Sequence, residues 1–141
     1  MKYVVLVSHG DFATGLKTSL DMLAGKRDDV IAVGLPDGKT ADEFALMFKQ
    51  AVQAVTGEDE IILLADIVGG SPLTTSLNVL ADIGKLANTI TIGGMNLPLA
   101  LTCVLMKDSL DRETFTATVV SEAKAALQEF KLEQPEEDDE I

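Results

Sequence analysis

Four short runs of aliphatic residues recur along the chain, separated by longer segments that alternate apolar and polar positions. The runs cover residues 3–7, 30–35, 61–65 and 89–92, and within each of them apolar residues are nearly continuous. Continuous runs rich in β-branched residues are typical of strands that are buried on both faces of a parallel sheet. The pattern therefore predicts a parallel sheet with covered faces.

The segments that follow the runs carry apolar residues at helical spacing and polar residues that mark helix starts. Thr40 and Glu43 form a capping box, and Ser71, followed by a proline, is typical of an N-cap. Pro98 and Asp111 predict the starts of two further helices. The apolar positions assigned to the five predicted helices are, in chain order, Phe12, Leu16, Leu20 and Leu23; Phe44, Phe48, Ala51, Val52 and Val55; Leu73, Leu77 and Leu80; Leu101, Val104 and Leu105; and Phe115, Val119, Ala123, Ala126, Leu127 and Phe130.

This repeated alternation of strand and helix predicts an α/β fold with a doubly wound, mostly parallel sheet and helices on both faces. At 141 residues, the chain is long enough for one domain with a single hydrophobic core. We assign residues 1–132 to this domain. Residues 133–141 are rich in carboxylates that repel one another, so we expect them to form a disordered acidic tail.

Charge and composition exclude several classes of function. The formal net charge is −12, which disfavours nucleic acid and anionic membranes as partners because phosphate groups bind cationic surfaces. The N-terminus has no signal-peptide pattern, and the longest apolar stretch, residues 97–106, is about half of a membrane span, so we expect a cytoplasmic protein. One histidine and one cysteine do not form a usual zinc site, and no nucleotide-binding glycine motif is present, so no metal or cofactor is expected.

Polar residues that can carry chemistry follow the predicted strands. His9, the single histidine, comes directly after the first run, and Asp66 and the segment Gly69-Gly70-Ser71 come after the third. The carboxyl ends of parallel strands meet at one edge of the sheet, and the first and third strands are neighbours in flavodoxin-like folds. We therefore expect Asp66 to lie close to His9, with Gly10 and Asn96 on the same rim.

The residue types at this edge favour phosphoryl transfer. A carboxylate bonded to the imidazole Nδ1–H fixes the tautomer and leaves Nε2 as a nucleophile. Gly69, Gly70 and Ser71 offer a hydroxyl and unpaired N–H groups at the positive end of a helix dipole, which suits a phosphate group. Each residue alone also has a purely structural explanation, as an incidental histidine, a turn aspartate or an abrupt strand-to-helix turn. Their coincidence at one predicted edge favours a transient phosphohistidine.

The motifs and their order resemble a known family. The segments in question are Ser8-His9-Gly10, Asp66-Ile67-Val68-Gly69-Gly70-Ser71-Pro72 and Gly94-Met95-Asn96-Leu97-Pro98. Together they resemble the enzyme IIA component of the mannose-class (mannose, fructose and sorbose) sugar phosphotransferase system, over about the first 130 residues of the chain.

The resemblance implies roles for individual residues and partners. His9 would accept a phosphoryl group on Nε2 from the phosphocarrier protein HPr, Asp66 would bond Nδ1, and Ser71 would bond the phosphoryl oxygens. The acceptor would be a IIB subunit on a separate chain and, through it, the membrane IIC/IID transporter. The resemblance also implies a homodimer in which a short C-terminal strand, for which we select residues 129–132, is exchanged and pairs antiparallel with the partner's sheet.

Three other functions remain open at this point. The first is the phosphoryl-donor subunit of a dihydroxyacetone kinase, which has a similar domain. The second is a receiver-like signalling domain phosphorylated on Asp66, although the chain has Ser8-His9-Gly10-Asp11 where receivers carry an acidic pair for Mg²⁺. The third is a binding module that carries no covalent phosphate. The identity of the transported sugar is not encoded in these motifs.

Overall fold

The computed structural model describes residues 1–133 of the chain. The predicted acidic tail, apart from Glu133, therefore lies outside the described residues. Strands and helices alternate as the sequence predicts, in the order β1 (Lys2–His9), α1 (Phe12–Ala24), β2 (Val30–Leu35), α2 (Ala41–Ala51), β3 (Glu60–Ala65), α3 (Ser71–Asp82), a short 3₁₀ turn (Leu86–Asn88), β4 (Thr89–Ile92), α4 (Leu97–Met106) and α5 (Arg112–Ala125).

The strands form one parallel sheet with the order β2-β1-β3-β4. β1 lies between β2 and β3, pairing His9 with Leu35 on one side and Val7 with Ala65 on the other. The first and third strands are thus neighbours, as predicted, and their carboxyl ends open at the same edge of the sheet. This arrangement confirms the α/β fold class and sets the position of the functional site.

Helices cover both faces of the sheet. Successive residues of a strand point to opposite faces, so the continuous apolar runs place apolar side chains on both faces, and both need cover. Val4 and Leu6 face a core layer formed with α1, α4 and α5, whereas Val5 and Val7 face a second layer formed with α2 and α3. The side chains that α1, α4 and α5 contribute to the first layer include Leu16, Leu20, Leu99, Cys103, Phe115 and Val119. Those that α2 and α3 contribute to the second include Phe44, Phe48, Leu73 and Leu80. None of the helices in residues 1–133 is long and apolar enough to cross a membrane.

Two helices bury a narrower set of side chains than the sequence pattern predicts. In α1 the buried stripe is Ala13, Leu16 and Leu20, while Phe12 and Leu23 are 49% and 59% exposed. The apolar residues of α1 cover a wider part of the helix surface than the part that contacts the sheet. Those at the margins of this apolar face therefore face solvent. In α4, Leu105 lies opposite the core and is likewise exposed.

The predicted start of α3 at Ser71 as N-cap is wrong by one residue. Gly70 is the N-cap, with an extended backbone, and Ser71 and Pro72 are the first two residues of the helix. The first turn tolerates a proline because its N–H groups have no acceptor within the helix. No side chain caps α3.

The ends of the later helices also differ from prediction. α4 begins at Leu97, one residue before Pro98, because the side chain of Asn96 caps it by accepting the N–H of Leu99 at 2.8 Å. The cap of α5 by Asp111 is confirmed, with the N–H of Thr114 donating to its carboxylate at 2.8 Å. α5 ends at Ala125, so the predicted continuation through Ala126, Leu127 and Phe130 is wrong.

The segment after α5 leaves its apolar side chains uncovered. Leu127, Phe130 and Leu132 are each about four-fifths exposed, and residues 127–133 form no regular element. The predicted strand at residues 129–132 is therefore not formed within the single chain. Its exchange with a second copy stays a prediction.

Candidate functional site

His9 is the last residue of β1 and leads into a tight turn. Gly10 takes a left-handed conformation with φ +52°, and its N–H donates to the carbonyl of Leu35 at 2.8 Å. The buried hydroxyl of Ser8 accepts the N–H of Ala13 at 2.7 Å, at the start of α1. A Cβ at Gly34 would collide with the carbonyl oxygen of Gly10. The turn that carries His9 is therefore held between α1 and the end of β2.

Asp66, the residue after β3, contacts His9 through one carboxylate oxygen. Its Oδ2 lies 2.8 Å from the Nδ1 of His9 and also accepts the backbone N–H of His9 at 2.9 Å. Its Oδ1 accepts the N–H of Ile67 at 2.9 Å. The pairing of β1 with β3 brings these residues together, as the sequence analysis expects. With an ionised Asp66, the neutral ring donates from Nδ1 and leaves its lone pair on Nε2.

The ionised form of Asp66 is favoured despite its partial burial. Desolvation alone would raise the pKa of this carboxyl, but hydrogen bonds from the backbone and ring of His9 and from the N–H of Ile67 outweigh it and lower the pKa. The Asp66 side chain is 15% exposed, whereas the His9 side chain is 49% exposed. The pair therefore combines a shielded carboxylate with a ring that another protein can reach.

The loop between β3 and α3 packs against the outer edge of the ring. A Cβ at Gly70 would lie 2.8 Å from the Cε1 of His9 and 3.4 Å from its Nε2, so only a glycine allows this approach. Gly69 has φ +89°, a conformation that also favours glycine. The Nε2 atom of His9 therefore faces the N-terminus of α3, next to the exposed Ser71.

The loop after β4 joins the same edge but serves the neighbouring helices. The N–H of Met95 donates to the carbonyl of Ala65 at 2.9 Å, and a Cβ at Gly93 would collide with the side chain of Val68. The Asn96 side chain, predicted on the rim, caps α4 and donates to the carbonyl of Ala123 at 3.5 Å. Its hydrogen bonds support the loop rather than the ring of His9.

A cavity of about 270 Å³ lies on the other side of His9. Its lining includes Leu35, Asp37 and Lys39 from the loop after β2, together with His9 and Gly10. The sequence analysis does not include Lys39 in the site, although that loop follows a strand at the same edge of the sheet. The position of this loop, directly after the second strand, is the sequence signal that could have identified Lys39.

Exposed apolar side chains occur on the segments that flank His9. Phe12, Ile67 and Val68 are 49%, 54% and 76% exposed, in the first turn of α1 and the loop after β3. An exposed apolar patch is typical of protein–protein contact. The sequence analysis interprets Phe12 as a core residue and therefore misses this surface.

Comparisons with known proteins identify the relatives of this chain. The chain matches the family model EIIA-man, described as "PTS system fructose IIA component", over residues 3–120. It is 29% identical over 107 residues to the PTS system fructose-specific EIIA component of Bacillus subtilis (strain 168), covering 76% of this chain and 71% of that protein.

Solved structures share the fold over nearly the whole chain. The PTS IIA protein associated with the fucose utilization operon from Streptococcus pneumoniae has a TM-score of 0.77 and 28% identity, covering 91% of this chain and 92% of that chain. The mannose/sorbose specific IIA subunit from Enterococcus faecalis has a TM-score of 0.80 and 20% identity, covering 96% and 100% respectively. At the latter identity the likeness concerns the fold alone.

Proposed function

Because the chain belongs to the EIIA-man family of IIA components of the sugar phosphotransferase system, we propose that it relays phosphoryl groups during phosphoenolpyruvate-dependent sugar uptake. His9 accepts the phosphoryl group from phospho-HPr on Nε2 and donates it to a IIB subunit on a separate chain. That subunit acts with the membrane IIC/IID transporter. The observation that carries the proposal is the 2.8 Å contact between Nδ1 of His9 and Oδ2 of Asp66, which leaves Nε2 free beside the N-terminus of α3.

The transfer is balanced without a separate proton acceptor. The lone pair of Nε2 attacks the phosphorus of the donor's phosphohistidine, a new N–P bond forms, and the donor's N–P bond breaks. When the donor ring carries a proton on its other nitrogen, it leaves as neutral imidazole, while the His9 ring becomes a phosphoimidazolium that keeps its Nδ1–H. The positive charge thus moves from one ring to the other with the phosphoryl group. Transfer to IIB is the reverse of this step.

Asp66 stabilises the state that the transfer creates. The His9 ring gains positive charge as the N–P bond forms, and the carboxylate hydrogen-bonded to Nδ1–H attracts that charge. The low pKa of Asp66 keeps the carboxylate ionised at neutral pH. The second hydrogen bond, 2.9 Å from the backbone N–H of His9, holds the same carboxylate oxygen beside the ring.

The N-terminus of α3 supplies groups for the phosphoryl oxygens. Gly70 and Ser71 begin the helix directly beside Nε2, where N–H groups and the helix dipole favour an anion. Ser71 is exposed and its side chain does not cap the helix, so its hydroxyl is available to donate to the phosphoryl group. Catalysis then consists of positioning and charge stabilisation.

We also propose that the chain acts as a homodimer. β4 is an edge strand of the sheet, and the apolar residues Leu127, Phe130 and Leu132 follow α5 without cover from their own chain. A cavity of about 280 Å³ between β4, α4 and α5 includes Leu127 in its lining. A second copy whose residues 129–132 pair along β4 would cover both features.

The relay is tested by incubating the protein with phosphoenolpyruvate, enzyme I and HPr and measuring the intact mass. We expect the mass of one phosphoryl group to be added, and none in His9→Ala. The adduct should be labile in acid and stable in base, as phosphohistidine is. Phosphate on His9→Ala, or an adduct that base cleaves, would assign the phosphoryl group to another residue; cleavage by base would favour an aspartyl phosphate and a receiver-like function. No adduct on the wild type would indicate a binding module.

A further inference from the structure

The cavity beside His9 has one cationic side chain in its lining. Its lining contains three side chains that carry or can carry charge, namely His9, Asp37 and Lys39. Lys39 is the cation among them, and Asp66 lies behind the ring at Nδ1. A phosphoryl group on Nε2 brings two negative charges to this edge of the sheet, close to the carboxylates of Asp37 and Asp66. A positive charge in the cavity would offset that repulsion.

The backbone fixes the loop of Lys39 to the turn of His9. The pairing of His9 with Leu35 in the sheet and the 2.8 Å bond from the Gly10 N–H to the Leu35 carbonyl join the two loops. The loop then turns sharply, with Gly38 at φ +84° and the N–H of Lys39 donating to the carbonyl of Pro36 at 3.2 Å. These contacts fix the backbone of Lys39 in the loop next to the turn of His9.

The present partner of Lys39 holds it weakly. Its Nζ lies 3.7 Å from Oε2 of Glu43, beyond hydrogen-bond distance, and both side chains are about half exposed. The other oxygen of Glu43 accepts the N–H of Thr40 at 2.9 Å in the capping box. Glu43 is thus held at the start of the helix by its hydrogen bonds. An exposed ion pair of this kind contributes little free energy, so Lys39 can readily leave it for a stronger partner.

We propose that Lys39 binds the phosphoryl group on His9, leaving Glu43 for the more highly charged phosphoryl oxygens when His9 is phosphorylated. The proposal rests on the proposed phosphoryl relay and extends it, since the N-terminus of α3 and Lys39 would then hold the phosphoryl group from two sides. Lys39 stabilises the charge on the phosphoryl oxygens and takes no part in making or breaking the N–P bond. Its effect should weaken as salt screens the attraction.

The test compares Lys39→Gln, Lys39→Arg and the control Lys49→Gln with the wild type. Lys49 lies in the last turn of the same helix that follows Lys39, and its replacement changes the net charge equally. Each protein is phosphorylated with phosphoenolpyruvate, enzyme I and HPr, and the pH titration of its phosphoryl signal is followed by phosphorus NMR. The rate of phosphorylation is measured at low and high salt.

We expect the phosphoryl group of Lys39→Gln to bind its last proton about two- to fivefold more tightly than that of the wild type, the effect of losing one exposed charge. Its phosphorylation should slow by a similar factor at low salt, and by less at high salt. Lys39→Arg and Lys49→Gln should behave like the wild type. A titration of Lys39→Gln that matches Lys49→Gln overturns the assignment of Lys39 but leaves the relay intact. A wild type that takes up no phosphate overturns both.

Discussion

At the scale of single residues, the site depends on one carboxylate oxygen that accepts two hydrogen bonds from the same residue. Oδ2 of Asp66 receives both the backbone N–H and the ring Nδ1 of His9, while Oδ1 receives the N–H of Ile67. All three contacts require acceptors. In a carboxylate both terminal oxygens are acceptors, whereas in the amide of asparagine only one terminal atom is. This difference explains why an aspartate suits this position.

Replacing Asp66 by asparagine should slow phosphorylation without unfolding the protein. The amide offers one oxygen, so its NH₂ group must face either the Ile67 N–H or the His9 donors, and the ring loses its charged partner. We expect a rate about 10- to 100-fold lower, since a hydrogen bond to a charged group contributes about 1.5–3 kcal/mol. Rapid-quench measurement of phosphate uptake checks this.

The exposed Asp82 at the end of α3 provides the matched control. Asp82→Asn removes the same charge without touching the site, so its rate should equal that of the wild type. An equal slowing in both variants would attribute the effect to net charge rather than to the contact with His9.

Gly70→Ala should displace the ring of His9. The added Cβ would lie 2.8 Å from Cε1, which requires the ring or the loop to move, although the backbone of Gly70 is itself compatible with alanine. We expect slower phosphorylation with a nearly unchanged unfolding temperature. Gly15→Ala in α1, where a Cβ meets nothing within 4 Å, is the control and should transfer phosphate at the normal rate. A normal rate in Gly70→Ala would show that the ring tolerates displacement.

At the scale of elements, the first residues of α3 allow phosphoryl binding by Ser71 to be tested separately from the stability of the helix. Since Gly70, and not Ser71, is the N-cap, the Ser71 hydroxyl contributes no cap to the helix. Ser71→Ala should therefore change the free energy of unfolding by less than about 0.5 kcal/mol, as exposed positions usually do, while it slows phosphoryl transfer. Chemical denaturation and rapid quench measure the two quantities. Easy unfolding with normal transfer would contradict the proposed role of Ser71.

A cluster of ion pairs stabilises the opposite end of the sheet. Asp29, just before β2, accepts two hydrogen bonds of 2.9 Å from Arg27 and lies 2.9 Å from the buried Nζ of Lys107, at the end of α4. Mainly through the bond from Arg27, these contacts lower the pKa of Asp29 to about 2. The cluster connects the turn after α1 to the end of α4, far from His9.

Asp29→Asn should destabilise the protein without slowing phosphorylation. A folded-state pKa of about 2 below an unfolded value of about 3.8 stabilises the folded state above pH 4, and this contribution disappears as the pH falls through the folded-state pKa. The difference in free energy of unfolding from the wild type should be about 2 kcal/mol at pH 7 and should shrink between about pH 4 and pH 2. Urea denaturation across this range measures it. A difference that does not vary with pH would assign the loss to packing.

The sequence predicts the elements of this fold well and their ends less well. Strand positions follow from continuous apolar runs, and the pairing of the first and third strands follows from the fold class, which brings Asp66 to His9. The exposure of Phe12 and the cap at Gly70 could not be predicted, because they depend on how much of a helix the sheet covers and where the loop reaches it. Lys39 was missed although its loop follows β2 at the same edge of the sheet, because its place beside the ring depends on how the loop turns after Leu35.

At the scale of the whole molecule, the uncovered residues after α5 predict assembly. Phe130→Asp places a charge in the segment proposed to pair with a second copy, so it should convert a dimer into a monomer. Leu46→Asp on the exposed face of α2 is a matched control, since Leu46 is also exposed and lies on another element. Sedimentation velocity measures the mass of both variants and of the wild type. A monomeric wild type, or a dimeric Phe130→Asp, would contradict the proposed interface.

The close approach of Gly34 to the carbonyl of Gly10 has a consequence for the part of the sheet that carries no reactive group. A larger residue at position 34 of this chain would force the turn that carries His9 to move, although no side chain of the site would be replaced. The backbone of an edge strand therefore takes part in placing the imidazole.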